Sequence, residues 1–173
     1  MKRKYLYIIG ALFILVIVAG KIIYNSFWGK DTESNNNTLN EFQEMTCQLY
    51  EGNAYTVKKH YSEGKTVLVF FSPDCDLCDR ELTSIVKNKD LFTNNRWVFV
   101  SFAFMKDEIG FFLETHAIDK LDNSVILLED SPKYHAMYQV VGPPALFVYD
   151  KKGKLIHSSY GSVEDATLIE WLQ

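Results

Sequence analysis

An α/β domain with a mixed central sheet flanked by helices, preceded by one N-terminal transmembrane helix, is the architecture this sequence predicts. Three observations carry it. A basic start is followed by a long apolar run, strand and helix signals alternate from about residue 41, and a strand–turn–strand–helix closes the chain.

The N-terminal element comes first. Met1-Lys2-Arg3-Lys4 precedes an uncharged apolar run from Tyr5 to Gly20, 16 residues or roughly 24 Å as a helix. That falls short of a hydrocarbon core of about 30 Å. Lys21 interrupts the run and Ile22, Ile23 and Tyr24 resume it, and a lysine so placed can snorkel to the headgroups. Residues 5–24 are therefore expected to form a transmembrane signal-anchor, with Tyr5, Tyr7, Tyr24 and Trp28 at the interfaces. Residues 1–4 form its basic cytoplasmic cap by the positive-inside rule. The rival is a cleaved signal peptide ending near Ala19 and Gly20, although the run is long for one and the cleavage site is not a clean A-x-A. Both place the remainder on the outer side of the cytoplasmic membrane.

Residues 25–40 are expected to be a flexible linker, since Gly29 to Asn40 has almost no apolar content. Residues 31–173 carry 22 acidic against 13 basic residues, a net charge of −9. That sign opposes binding to nucleic acid or to an anionic membrane surface and favours neutral or basic partners.

The domain spans 41–173. Thr66 to Phe71 is a continuous β-branched and aromatic run, as in a strand buried on both faces. After Ser72-Pro73-Asp74, the apolar residues Leu77, Leu82, Ile85, Val86 and Leu91 recur at helical spacing to about Lys89. Trp97 to Phe104 reads as a second buried strand, Asp107 to His116 as a helix, Val125 to Leu128 as a short strand and Pro132 to Gln139 as a short helix. Ala145 to Tyr149 is a strand, Asp150-Lys151-Lys152-Gly153 a hairpin turn, and Leu155 to Tyr160 the returning antiparallel strand. Ser162 and Asp165 resemble a capping box opening a last helix, Val163 to Leu172.

The chemistry lies in the cysteines, of which there are three: Cys47, Cys75 and Cys78. Cys75-Asp76-Leu77-Cys78 is a C-x-x-C between a buried strand and a helix. At a helix N-terminus the unpaired amides and the macrodipole favour a thiolate. Three-residue spacing brings the second thiol one turn on, close enough to close a small ring, so one cysteine can attack a partner's disulfide and the other resolve the mixed disulfide. Half of a zinc site is the alternative, but it needs two further ligands. Only Cys47 and four scattered histidines remain (His60, His116, His135, His157), none spaced as a pair, so no metal is expected. A purely structural disulfide stays open. Cys47 is expected at an edge strand or its lead-in, as a small buried hydrophobe or else a third redox thiol or an intermolecular bridge. His135 and His157 are expected to pack rather than ligate.

Lys65 through Cys78 resembles the thioredoxin superfamily, and within it the membrane-anchored TlpA/ResA-like reductases, related to the AhpC/TSA redoxins. Gly142-Pro143-Pro144-Ala145-Leu146-Phe147-Val148-Tyr149-Asp150, followed by Gly153-Lys154-Leu155, resembles their second signature. The resemblance covers about residues 50–173 and implies a thioredoxin-like fold. It also implies that Cys75 is the nucleophile, Cys78 the resolving cysteine and Pro144 a cis-proline beside them, with no cofactor other than the redox-active Cys75–Cys78 disulfide. Pro143, Asp74 and Asp76 are expected to face the substrate. Implied partners are a disulfide-containing envelope protein and, as electron source, a membrane thiol carrier.

Three departures from the pattern bear on function. Asp74 replaces the usual tryptophan, Asp76-Leu77 is an unusual dipeptide, and the residue before the cis-proline is itself Pro143. Asp74, Asp76 and Asp79 crowd the first sulfur with negative charge, opposing the helix dipole. Strong oxidants of this fold instead hold a very acidic thiol, so this chain leans toward a reductant. Pro143 lacks the N–H that a bound peptide would use. Two rivals are a peroxiredoxin-like thiol peroxidase, which Ser72-Pro73-Asp74-Cys75 fits loosely although Leu68 stands where a proline belongs, and a Sco-type copper(I) chaperone using His135, whose cysteine spacing is one residue longer.

Overall fold

The computed structural model describes residues 39–173. The anchor expected over 5–24 and all but the end of the linker lie outside them. Among the described residues, no helix is long and apolar enough to cross a membrane.

Seven strands and four helices build the domain: β1 (Met45–Leu49), β2 (Ala54–Val57), β3 (Thr66–Phe70), α1 (Asp76–Lys87), β4 (Arg96–Phe102), α2 (Lys106–His116), β5 (Ser124–Glu129), α3 (Lys133–Met137), β6 (Ala145–Tyr149), β7 (Leu155–Tyr160) and α4 (Asp165–Leu172). The sheet order is β2-β1-β5-β4-β3-β6-β7. β3, β4 and β5 run parallel, and the two flanking pairs are antiparallel, so the sheet is mixed as expected.

All five residues of β3 are buried because the strand is central and covered on both sides. Alternate side chains face opposite ways. Val67 and Val69 join Trp97, Phe99 and the inner faces of α1, α2 and α4 in one core. Leu68 and Phe70 join Val98, Val100, Phe147, Tyr134 and Tyr138 in the other. β7, at the sheet edge, instead alternates half-buried with exposed residues.

Several elements differ from the sequence expectation. The hairpin of β1 and β2 adds two strands in front of the expected order. Cys47 sits on β1, which is not an edge: it pairs with β2 on one side and β5 on the other. The second buried strand ends at Phe102, and α3 covers only Lys133–Met137. Leu77 and Leu91, expected on the buried helical stripe, are exposed, because the stripe runs through Cys78, Glu81, Leu82 and Ile85 and the helix stops before Leu91. No capping box opens α4. Its N-cap is Glu164, without a side-chain cap bond. Asp165 instead accepts the Ser84 hydroxyl at 2.6 Å, which ties α4 to α1.

The β6–β7 turn forms as expected. Asp150 Oδ1 accepts the amides of Lys152 and Lys154, both at 2.9 Å, and Gly153 takes a φ of 78° that suits glycine. The chain before β1 is fastened to this turn, where Phe42 N–H donates to the Gly153 carbonyl at 2.7 Å.

Entry into β3 is tight. A Cβ on Gly64 would lie 1.6 Å from the Asn94 carbonyl oxygen, a main-chain atom that cannot turn aside. Gly64→Ala is therefore expected to destabilise the fold by about 3 kcal/mol, read as a lower denaturation midpoint with an unchanged m-value; a midpoint like that of the wild type would contradict the close approach.

Candidate active site

The site forms where β3 runs out. After buried Phe71, the Ser72-Pro73-Asp74 turn delivers Cys75 to the N-cap of α1, with extended angles of φ −111° and ψ 110°. The Cys75 sulfur takes the place of the usual capping oxygen and accepts the Cys78 N–H at 3.2 Å. Both cysteines are free, with Cys78 Sγ 2.6 Å from Cys75 Sγ. Cys75 is partly exposed, whereas Cys78 is fully buried. The pair is therefore asymmetric: one sulfur is presented to a partner and the other lies behind it.

The Pro143–Pro144 bond is cis. It places the Pro143 carbonyl 3.5 Å from Cys75 Sγ, where it accepts the thiol. Pro144 is buried, and its own carbonyl is taken by Gly161 N–H at 2.8 Å. The structure thus brings together Cys75, Cys78, Pro143 and Pro144, four of the expected site residues. Asp76 opens α1 and is exposed, and Asp74 accepts the Ser72 hydroxyl.

Burial is the main cause of the electrostatics behind the exposed sulfur. It pushes the Cys78 thiol well above the usual range, and the hydrogen bond to Cys75 adds to the effect. One turn on, Glu81 is 1% exposed. Its Oε2 accepts the Val163 N–H at 2.7 Å, and its Oε1 has no hydrogen-bond partner. Burial pushes the Glu81 carboxyl up to about 7, against the lowering pull of Val163. The sequence expectation did not include Glu81. The available signal was a glutamate on the apolar stripe of α1 between Cys78 and Leu82, where a charge is costly unless it has work to do.

The other candidates fall elsewhere. Cys47 belongs to the core on the opposite face of the sheet from Cys78, and burial pushes its thiol up to about 11. His135 is buried, its Nδ1 engaged by the Glu129 carboxylate and its ring stacked on Phe102 at 4.3 Å. His157 stacks on Trp171 at 4.9 Å. His116, also missed, is buried at the end of α2 with Nε2 2.9 Å from Asp79 Oδ1.

A buried-strand-to-helix turn bearing a dithiol opposite a cis-proline defines a thioredoxin-fold protein. A family model for the thioredoxin-like domain matches residues 54–173, and the chain belongs to that family. The expected superfamily is thereby borne out. No curated protein matches the chain. Among solved structures, a secreted Mycobacterium tuberculosis disulfide oxidoreductase homologous to Escherichia coli DsbE is 16% identical, with a TM-score of 0.64 over 79% of this chain and 96% of that one. StoA from Bacillus subtilis is 19% identical, with a TM-score of 0.58 over 76% and 97%. A peroxiredoxin-like protein from Aquifex aeolicus is 14% identical, with a TM-score of 0.60 over 78% and 86%.

Glu81 also gives the fold a pH signature. Its folded value lies above the ordinary carboxyl value, so the folded state holds the extra proton between about pH 4.5 and 7. The group's contribution is thus most favourable below that window and is lost as pH rises through it. Glu81→Gln is expected to gain stability relative to wild type on going from pH 5 to pH 8, measured by chemical denaturation at both. A difference independent of pH would contradict the assignment.

Proposed function

We propose that the chain is a thiol:disulfide oxidoreductase that works as a reductant of disulfides in partner proteins, on the outer side of the cytoplasmic membrane. The observation that carries it is the pairing of a partly exposed Cys75 with a buried Cys78, their sulfurs 2.6 Å apart, opposite the Pro143 carbonyl. The similar solved structures of a secreted disulfide oxidoreductase and of a thiol-disulfide oxidoreductase from Bacteroides vulgatus support this reading.

The reaction is a thiol–disulfide exchange in two steps. Cys75, as thiolate, attacks one sulfur of the partner's disulfide. That S–S bond breaks, the partner's other sulfur leaves and takes up a proton, and Cys75 is joined to the partner as a mixed disulfide. Cys78 then gives up its proton and attacks Cys75 Sγ. The second partner sulfur leaves as a thiol, and a Cys75–Cys78 disulfide remains. Two electrons and two protons have passed to the partner. Glu81, the buried carboxylate one turn from Cys78 on the same helical face, is suited to accept the Cys78 proton, since its own value near 7 matches the task. The Pro143 carbonyl, which holds the Cys75 thiol, is the acceptor against which a partner's main chain would align.

The charge around the site supports the reductant direction. Asp74, Asp76 and Asp79 place negative charge around the sulfur that an oxidant would need to hold as a stabilised thiolate. No cofactor beyond the dithiol enters these steps, and a membrane thiol carrier would return the electrons. Attachment through residues 5–24 rests on the apolar run and its basic flank. The peroxidase rival is disfavoured because the Ser72 hydroxyl is directed to Asp74. The copper rival is disfavoured because His135 is held by Glu129 among aromatic rings.

The test is mechanism-based trapping. A Cys78→Ser variant lacks the resolving sulfur and should accumulate disulfide-linked partners on non-reducing gels, all attached through Cys75, whereas Cys75→Ser should accumulate none. Adding Pro143→Thr to the trapping variant restores a main-chain N–H to the groove and should widen the set of trapped partners. Equal trapping by both cysteine variants would sink the assignment of roles.

A further inference from the structure

We propose that a groove beside Cys75 receives a lysine or arginine side chain of the partner, close in its chain to the disulfide under attack. The inference rests on the dithiol function above and names the class of substrate it selects.

A cavity of about 480 Å³ opens beside Cys75, between the first turns of α1 and the outer face of α2. Its apolar wall is Phe111, which is 76% exposed, so an aromatic ring stands uncovered next to a reactive sulfur. Its rim carries Asp74, Asp76, Asp79 and Glu108, and no lysine or arginine lines it. Two of the four carboxylates are already engaged: Asp74 takes the Ser72 hydroxyl and Asp79 lies beside His116. Among the described residues, Asp76 and Glu108 have no ion-pair partner. His116 also lines the cavity. It is 8% exposed, with its Nδ1 3.3 Å from the Thr83 hydroxyl and its Nε2 2.9 Å from Asp79 Oδ1, so Asp79 is occupied from within the fold and the free charge on the rim is that of Asp76 and Glu108.

These features match one kind of side chain. A lysine or arginine has an apolar stem to lie on Phe111 and a cationic head for Asp76 and Glu108, with the ring face adding a cation–π contribution. A glutamate at the same place would meet the carboxylates of the rim and be repelled. Because the cavity adjoins the sulfur, the contact would form while Cys75 is attacking. It would therefore act on the rate of mixed-disulfide formation rather than on the later resolution.

The experiment uses the reduced full-length chain and three peptides with the same internal disulfide, flanked by lysine, alanine or glutamate. Second-order rates of reduction are measured at low and high salt, with neutral hydroxyethyl disulfide as a reference substrate. The lysine peptide is expected to react about tenfold faster than the glutamate peptide at low salt, with the ratio shrinking as salt screens the groove. Glu108→Gln should lower the ratio, and Asp76→Asn does the same work should that variant fail to fold. Equal rates for the lysine and glutamate peptides, with hydroxyethyl disulfide still reduced, overturn the groove assignment alone. So does a ratio untouched by both substitutions. Failure to reduce hydroxyethyl disulfide overturns the dithiol function and this inference with it.

Discussion

A sulfur atom caps a helix, and the arrangement of the site depends on that bond. Cys75 closes the turn from β3 and accepts the Cys78 amide from the N-cap position of α1. The bond fixes which sulfur faces outward and which lies beneath it, and it sets the helix dipole against the outer one. β3 can hold this turn in place because it is covered on both faces and paired on both edges, to β4 and to β6. β6, which pairs with β3, begins directly after Pro144, so the strand beside the one that supports the dithiol is led in by the carbonyl facing Cys75.

Around this bond, polar groups are arranged in two zones. Outside, carboxylates gather beside Cys75. Inside, Cys78 and Glu81 share a buried helical face where a charge on either is disfavoured by loss of solvent. Glu81 also reaches across to Val163, and Ser84 to Asp165, so the helix that carries the dithiol is locked to the C-terminal helix by hydrogen bonds as well as by apolar packing.

Much of this was legible in the residues. The run Thr66 to Phe71 read as a central strand, and the C-x-x-C after it as the opening of a helix. The cis-proline position, Pro144, followed from the second motif rather than from any local propensity. Of the hairpin of β1 and β2 only a strand or its lead-in at Cys47 was legible, because Met45 to Val57 mixes polar and apolar residues and its burial comes from pairing with β5 and from α3. The capping box failed because Asp165 is claimed by Ser84, a residue more than eighty positions earlier. Glu81 and His116 were missed for one reason. Each is a polar residue at a buried helical position, and only the fold reveals what faces it.

Cys75 and Cys78, on the proposed function, form a dithiol poised to give electrons. The most direct test is the reduction potential of the pair, measured by equilibrating the full-length chain with glutathione or dithiothreitol buffers and scoring free thiols by alkylation. The account predicts a value nearer to the about −270 mV of thioredoxin than to the about −120 mV of DsbA. A value close to that of DsbA would contradict it.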